Sequence, residues 1–358
     1  MKILFFIDNL GPGGKQRRLV ELIKGLLKYS DIEMSLVLTK KEIVYTGIKS
    51  TGINIYYALR KKIKKDPRVF LKFYKITKRI RPDIIHVWGN LEAIYAIPAK
   101  VLMNIPMLNS QITDAPTSFS SRLLNHKLTF PFSNRITANS LAGLKAYNAP
   151  INKSVVIYNG FDFNRINKLE TRKIIRDKFD IKTKYVIGMV GSFMARKDYT
   201  TYIKAAIALL EIDHNITFIC VGDGENDQYK NMVGKELKHQ ILFIEHQENI
   251  ESIMNICDIG VLATYTEGIS NSLLEFMALS KPLVVTGAGG CSELVMNAKN
   301  GYLLESGDYV GMTDKLLFLL NNVDVRNEFG KESKNIVMEK FSIEAMVNSF
   351  HKEYKLLK

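Results

Sequence analysis

The chain has 358 residues, 46% of them hydrophobic and 24% charged, and carries 50 Lys and Arg against 36 Asp and Glu for a net charge of +14. This length exceeds what one hydrophobic core usually supports, and the apolar content is enough for two, so two domains are expected. Only a short apolar run opens the chain before Asp8, and nowhere do about eighteen apolar residues follow one another, which excludes a signal-peptide core and a spanning helix and makes a cytosolic chain the expectation.

In the first half, strand-like runs at Lys2–Ile7, Glu33–Leu38, Asn54–Leu59, Asp83–Val87, Arg135–Ala138 and Val155–Tyr158 alternate with helix-like segments such as Gln16–Tyr29. That alternation is the pattern of a parallel α/β sheet. After the first run comes Gly11-Pro-Gly-Gly14, leading through Lys15 into the helix. Such a loop lets backbone approach a phosphate closely, although any tight strand-to-helix turn can use glycine.

All of the excess charge belongs to this half. Residues 1–160 hold 26 Lys and Arg against 9 Asp and Glu, a net +17, while the remainder has 24 against 27, a net −3. Within Arg60–Arg81 eleven basic residues and one acid are interleaved with Val69, Phe70, Leu71, Phe73, Tyr74 and Ile76. A helix beginning near Pro67 would gather those apolar residues on one side and turn Lys72, Lys75, Lys78 and Arg79 elsewhere. Basic amphipathic stretches of this kind suit an anionic membrane surface, at about 1 kcal/mol per engaged cation; the alternative is a helix packed on the sheet with a solvated basic face. No base-reading module accompanies the patch, so nucleic acid is not expected.

His86, in Pro82-Asp-Ile-Ile-His-Val-Trp88, ends a strand and would face a ligand cleft, with a satisfied core histidine as the rival reading. Trp88, the sole tryptophan, would stack on a sugar or fill a core.

The second half repeats the plan, with runs at Tyr185–Val190, Ile216–Val221, Ile241–Ile244, Ile259–Ala263, Pro282–Val285 and Gly301–Leu304, and helices at Tyr199–Leu210, Asn271–Leu279 and Met312–Asn321. The boundary is expected near Asn159–Ile181, where polar residues dominate, and the final helix Ser342–Leu357 follows the completed second sheet and could pack back on the first domain. The division expected is 1–163, 164–340 and a terminal helix over 341–358. Each half starts with a strand running into a loop, Asp8–Gly14 and Gly191–Asp198. Ligands of open α/β sheets bind beyond the carboxyl ends of the strands, so two such domains facing each other would enclose a cleft.

The most informative segment is Glu267–Glu275 (EGISNSLLE), which lies between an apolar strand and a helix. The first turn of a helix leaves about four N–H groups without intrahelical partners and carries roughly +0.5 of a charge, so residues Ile269 to Ser272 could receive an anion. A carboxylate accepts from paired hydroxyls, which sugars and ribose both offer. One Glu at each end of a diphosphate therefore matches a nucleotide-sugar donor. The bland alternative is that Glu267 complements the helix dipole and Glu275 is a solvated helix residue.

Metal chemistry is not expected: there is no D-x-D pair, and six scattered histidines lack helical H-x3-H spacing. Cys220, Cys257 and Cys291 share no CxxC spacing, so reduced thiols are expected. No serine-hydrolase elbow or P-loop occurs.

Together these residues resemble the retaining glycosyltransferases of family 4, which have the two-domain GT-B fold, and the resemblance covers nearly the whole chain. Its strongest part is Asp258–Gly307, where EGISNSLLE is followed by FMALSKPLVVT, GAGGCSELV and NGYLLESGD, similar to the family's E-x7-E helix, A-x-G-x-P-V-V strand entry, G-G-x-x-E-L turn and G-x-L stop. Tyr158-Asn-Gly-Phe-Asp162 resembles the P-N-G-V-D hinge, and Val221-Gly-Asp-Gly224 and the Gly13-Gly14 loop also match.

The resemblance implies that Glu267 contacts the donor sugar and Glu275 the ribose. The amides of Ile269, Ser270, Asn271 and Ser272 would meet sugar and phosphate oxygens, Lys197 would neutralise the diphosphate, and Gly14 and Gly191 would lie against the donor. Many members carry Arg directly after the glycine matched by Gly191; this chain has Ser192, and Arg196 is the expected substitute cation. His86 stands where relatives show H-x-H, and Asp114 matches the aspartate of an H-D pair whose His is Thr113 here, an acceptor-site residue.

The expectation is thus an α/β GT-B enzyme of bacterial polysaccharide biosynthesis, without cofactor or metal. It would move a sugar from a nucleotide-diphosphate donor, UDP favoured, to a hydroxyl of a lipid-linked glycan with retention, from the inner face of the plasma membrane. Lys197, Glu267, Arg196 and His86 are the catalytic candidates. The alternative is an inactive glycan- or nucleotide-sugar-binding protein of the same fold.

Overall fold

Short apolar runs separated by helical stretches build two open parallel sheets, as seen in a computed structural model that describes residues 1–61, 63, 65–116, 121–245, 247, 249–287 and 289–358, with backbone alone at 121 and 122. The chain divides into two units: residues Met1–Gly160 with Ile343–Lys358, and residues Phe161–Ser342.

The first unit holds seven strands, β1 (Lys2–Ile7), β2 (Glu33–Leu38), β3 (Asn54–Tyr57), β4 (Ile84–Val87), β5 (Met107–Ile112), β6 (Arg135–Ala138) and β7 (Ser154–Val156), in the order β3-β2-β1-β4-β5-β6-β7. All pairings are parallel. Because side chains alternate along a strand, β1 sends Ile3, Phe5 and Ile7 to one face and Leu4 and Phe6 to the other. Helix Gly14–Leu26 covers the first face with Leu19, Leu22, Ile23 and Leu26, and the terminal helix Ile343–Leu357 adds Met346, Val347, Phe350 and Tyr354 to the same core. Helices Arg68–Ile80 and Asn90–Leu102 cover the second face.

Two expectations change here. Much of the apolar side of the basic helix is turned inward: Val69 and Phe73 are buried against Leu4, Phe6 and Val37, with the Phe6 and Phe73 rings stacked at 4.1 Å, while Leu71 stays exposed. Lys72, Lys75, Lys78 and Arg79 remain exposed, and positions 62 and 64 of the basic stretch lie outside the described residues.

His86 does not face solvent either. It is fully buried, its Nδ1 bonded to the Tyr354 hydroxyl and its Nε2 to Ser110 Oγ, each at 2.7 Å. Burial, and then the nearby charge of Arg18, hold its pKa well below the usual value. A neutral imidazole with both nitrogens engaged is a core residue, and its assignment as a catalytic group is corrected. Trp88 is likewise core: it packs at 5.0 Å from His86 and 5.8 Å from Phe350, with the Arg18 guanidinium 5.2 Å from its ring.

Strand β5 has no counterpart in the sequence reading. Its Asn109, Ser110 and Gln111 are all buried, so the run shows no apolar signal. Most of their polar groups are satisfied internally: Asn109 Nδ2 donates to Thr129 and Ser133 hydroxyls, Ser110 Oγ bonds His86 and Thr137, and Gln111 Nε2 donates to Thr129 Oγ1 and the His126 carbonyl, while Asn109 Oδ1 is buried without a hydrogen-bond partner among the described residues.

The second unit holds six strands, β8 (Tyr185–Val190), β9 (Ile216–Val221), β10 (Ile241–Ile244), β11 (Ile259–Leu262), β12 (Leu283–Thr286) and β13 (Gly301–Leu304), in the order β10-β9-β8-β11-β12-β13, all parallel. Helix Asn271–Ala278 seats Phe276 directly over Gly260 of β11, where a Cβ would come within 2.5 Å of the ring. The three cysteines are free and buried. No helix among the described residues is long and apolar enough to cross a membrane.

Candidate active site

In the second sheet the strand order reverses between β8 and β11, and the loops that leave such a pair are splayed apart at the point where open sheets bind ligands. The two loops here are Gly191–Asp198 after β8 and Ala263–Ser270 after β11. They are tied together by backbone: Lys197 and Thr264 form an antiparallel bridge, Asp198 N donates to the Ala263 carbonyl at 3.0 Å, and Tyr265 N donates to the Arg196 carbonyl at 2.9 Å. Asp198 caps the next helix, accepting from Thr201 N at 3.1 Å. Gly222 allows the first loop to fold closely, since a Cβ there would lie 2.0 Å from the Gly191 carbonyl oxygen.

This framework brings Lys197, Arg196 and Glu267 into one cluster. Glu267 Oε2 accepts from Arg196 Nη1 at 2.8 Å and from Lys197 Nζ. Lys197 is 5% and Glu267 8% exposed, so neither is a solvated surface ion. Burial by itself would push the Glu267 pKa up; Lys197 and then Arg196 outweigh it and hold the carboxylate below its ordinary range. The Lys197 stem packs over Gly191, whose Cβ position lies 3.3 Å from Lys197 Cε. A larger residue at Gly191 would displace the ammonium.

Three residues beyond Glu267, Ser270 is the N-cap of helix Asn271–Ala278, its hydroxyl facing the Leu273 N–H and lying 3.0 Å from Ser272 Oγ. Glu275, on the second turn, is 4% exposed. It is not a solvated helix residue: Arg165 Nη2 donates to its Oε1 at 2.8 Å, and the same guanidinium pairs with Glu251. Arg165 and Glu251 escaped sequence reading. Arg165 follows Asp162 of the Tyr158–Asp162 segment by three residues and could have been flagged for that; nothing in the spacing links Glu251 to Glu275.

The candidates of the first unit form their own arrangements. Gly14 opens helix Gly14–Leu26 with Gly13 at the N-cap, and Asn9 Oδ1 accepts from Gly11 N and Gln16 Nε2, each at 3.2 Å. Lys15 pairs with Asp8 at 3.4 Å. Asp114 accepts from the Tyr147 hydroxyl at 2.8 Å, which gives it an anchoring job in the fold. A cavity of about 500 Å³ lies at the carboxyl ends of β4 and β5, lined by Lys15, Phe70, Asn90, Tyr95, Gln111 and Asn125 among others. No group of three His, Cys, Asp or Glu among the described residues could hold a metal ion.

The model of the family "Glycosyl transferases group 1" matches residues 171–336, almost all of the second unit. The second unit thus resembles that family in sequence. Curated relatives of the group include the capsular polysaccharide biosynthesis glycosyltransferase CapM of Staphylococcus aureus, 26% identical over 54% of this chain and 54% of CapM. Another is the UDP-Gal:alpha-D-GlcNAc-diphosphoundecaprenol alpha-1,3-galactosyltransferase of Escherichia coli, 25% identical over 81% of this chain and 79% of that protein. The chain spans about half the length of the first curated relatives it matches. Among solved structures, the glycosyltransferase group fold is shared by Anabaena Alr3699/HepE in complex with UDP-glucose, at a TM-score of 0.86 and 20% identity over 99% of each chain. The WaaG glycosyltransferase involved in lipopolysaccharide biosynthesis shares it at a TM-score of 0.75 and 13% identity, over 97% of this chain and 98% of that one. Both sheets are therefore the Rossmann-like units of a GT-B fold.

Proposed function

We propose that this chain is a retaining glycosyltransferase that moves a sugar from a UDP-sugar to a hydroxyl of a lipid-linked glycan in bacterial surface polysaccharide synthesis. The observation that carries the reading is the buried Lys197–Glu267 pair, joined by the partly exposed Arg196, at the reversal of the second sheet, next to the Ser270-capped helix. A departing nucleotide needs fixed positive charge where negative charge grows, and preorganised cations in a water-poor site supply it without a metal. Glu267, held in place by those cations, is an acceptor for donor-sugar hydroxyls, and the amides of Ile269, Ser270, Asn271 and Ser272 suit phosphate and sugar oxygens. Glu275 suits the ribose diol.

No further carboxylate is assigned as a base. A front-face path, in which the leaving phosphate takes the acceptor proton as the new bond forms on the side the nucleotide leaves, fits the residues present. The Escherichia coli relative, which by its name takes UDP-Gal and a diphosphoundecaprenol-linked acceptor, and the HepE complex with UDP-glucose support the donor and acceptor classes. The amide- and aromatic-lined cavity of the first unit has the chemistry for an acceptor sugar ring, with Lys15 for a nearby anion.

The test is a thermal-shift panel of UDP- and GDP-sugars followed by transfer assays with the stabilising donor. A matching donor at 100 times its Kd stabilises by about 2.7 kcal/mol. Absence of any shift across the panel, or a shift preserved in Lys197→Ala and Glu267→Ala, overturns the reading.

A further inference from the structure

Arg165 lies five residues after the point where the chain passes from the first unit to the second, in the short helix Phe163–Ile166, and it is engaged from three sides. Its guanidinium pairs with Glu251 of helix Ile250–Ile256 and with Glu275 of helix Asn271–Ala278, and its Cζ stands 5.2 Å from the centre of the Phe161 ring. Both carboxylates are buried, at 5% and 4% exposure. One guanidinium nitrogen, Nη2, is shared between Oε1 of both buried carboxylates, and because its two N–H bonds lie in the fixed guanidinium plane, each of those oxygens is anchored in a set direction. A lysine ammonium is a point charge and imposes no such direction.

Resting on the donor reading above, we infer that Arg165 is a positioning residue that aims the Glu275 carboxylate at the ribose diol and so sets the preference for ribonucleotide over deoxynucleotide donors. Arg165 occupies Glu275 Oε1. The hydroxyl pair of a ribose then meets a carboxylate with one oxygen already anchored, so less ordering of that side chain is left to offset on binding. A site built to hydrogen-bond a hydroxyl discriminates strongly against the analogue that lacks it, because the buried acceptor is left unpaired. Without the guanidinium anchor on Oε1 the carboxylate is free to turn, and that discrimination is what weakens.

The experiment measures dissociation constants for UDP and for 2′,3′-dideoxy-UDP in the wild type, Arg165→Met, Arg165→Lys and Glu275→Gln, with melting temperatures taken in parallel. The wild type is expected to favour UDP by tenfold or more. Arg165→Met and Glu275→Gln should both reduce that ratio towards one, mainly through weaker UDP binding, and the donor KM should rise more than kcat falls. Arg165→Lys, which keeps the charge and protects the fold, should recover melting temperature but only part of the ratio. If both Arg165 variants weaken the two ligands equally, Arg165 is only a strut and the inference falls. If Glu275→Gln lowers the ratio while both Arg165 variants keep it, the positioning claim falls and the donor site stands. If the wild type itself does not distinguish the two nucleotides, the assignment of Glu275 to the ribose falls, and this inference with it.

Discussion

Lys197 and Glu267 illustrate how far two residues can be read before the fold is known. Their identity and spacing mark them in the sequence, but their mutual contact depends on two loops that are 70 positions apart and joined by a backbone bridge. Lys197→Ala should lower kcat by about 10² to 10³, the usual effect of removing one preorganised donor from a developing anion. It should also lower stability, since Glu267 would be left buried with Arg196 alone; circular-dichroism melts alongside single-turnover assays separate the two effects. His86 makes the opposite case, a motif position that the fold turns into core. Its pKa is depressed in the folded protein, so below about pH 6.5 the unfolded chain takes up a proton that the native state refuses, and stability falls as pH falls. Melting temperature should drop between pH 7 and pH 5.5, and His86→Gln should flatten that drop while lowering stability at pH 7. His351, lowered in the same direction mainly by burial, leaves a residual slope. A pH response unchanged in His86→Gln would remove imidazole burial as its cause.

Elements were legible where side-chain pattern decides them. Strands β1, β2, β6, β8, β9, β10 and β13 run from first to last residue as their apolar runs predict, because in a parallel sheet covered on both faces almost every position is apolar. Strand β5 was not legible, since its polar centre is neutralised by partners on other elements that no local pattern announces. The helix Arg68–Ile80 was legible as amphipathic, yet which solvent its apolar side meets is a tertiary question, answered by Phe6 and its neighbours. In the same way the spacing of Glu267 and Glu275 was visible, while the Arg165 contact was not, because it joins a segment 110 residues away. Element packing also supplies a test of the site's scaffold. Gly260→Ala forces a methyl to within 2.5 Å of the Phe276 ring, and overpacking of this kind costs about 1–3 kcal/mol. The helix carrying Ser270 to Glu275 must shift outward to relieve it, so donor affinity should fall together with denaturation midpoint. A variant that loses stability but keeps donor affinity would mean that the helix tolerates the displacement.

At the scale of the whole chain, charge and fold are partitioned along the same line. The excess of positive charge, +17 over residues 1–160 against −3 over the remainder, lies in the first unit and leaves the family-matched second unit slightly acidic. On the proposed reading a nucleotide-sugar site needs only a few fixed cations, for which Lys197 and Arg196 are the candidates, and the basic surface of the first unit is left over for a different partner. We propose an anionic membrane surface. With Val69 and Phe73 of Arg68–Ile80 held in the core and only Leu71 of its apolar residues exposed, little apolar surface is left for insertion among acyl chains, and the attraction rests mainly on Lys72, Lys75, Lys78 and Arg79 at about 1 kcal/mol each near a charged leaflet. Purely electrostatic binding has a defined signature, because charges more than about 10 Å apart are screened at 0.1 M salt. The protein should co-sediment with vesicles containing anionic phospholipid and not with neutral ones, release as salt rises to 0.5 M, and lose most of its binding when the four cations become glutamine. Those substitutions leave Val69 and Phe73 in place, so melting temperature and transfer to a water-soluble acceptor should be nearly unchanged, while transfer to a lipid-linked acceptor presented in vesicles should fall. Binding that survives high salt, or that is equal on neutral vesicles, would point to an apolar contact and overturn the electrostatic account.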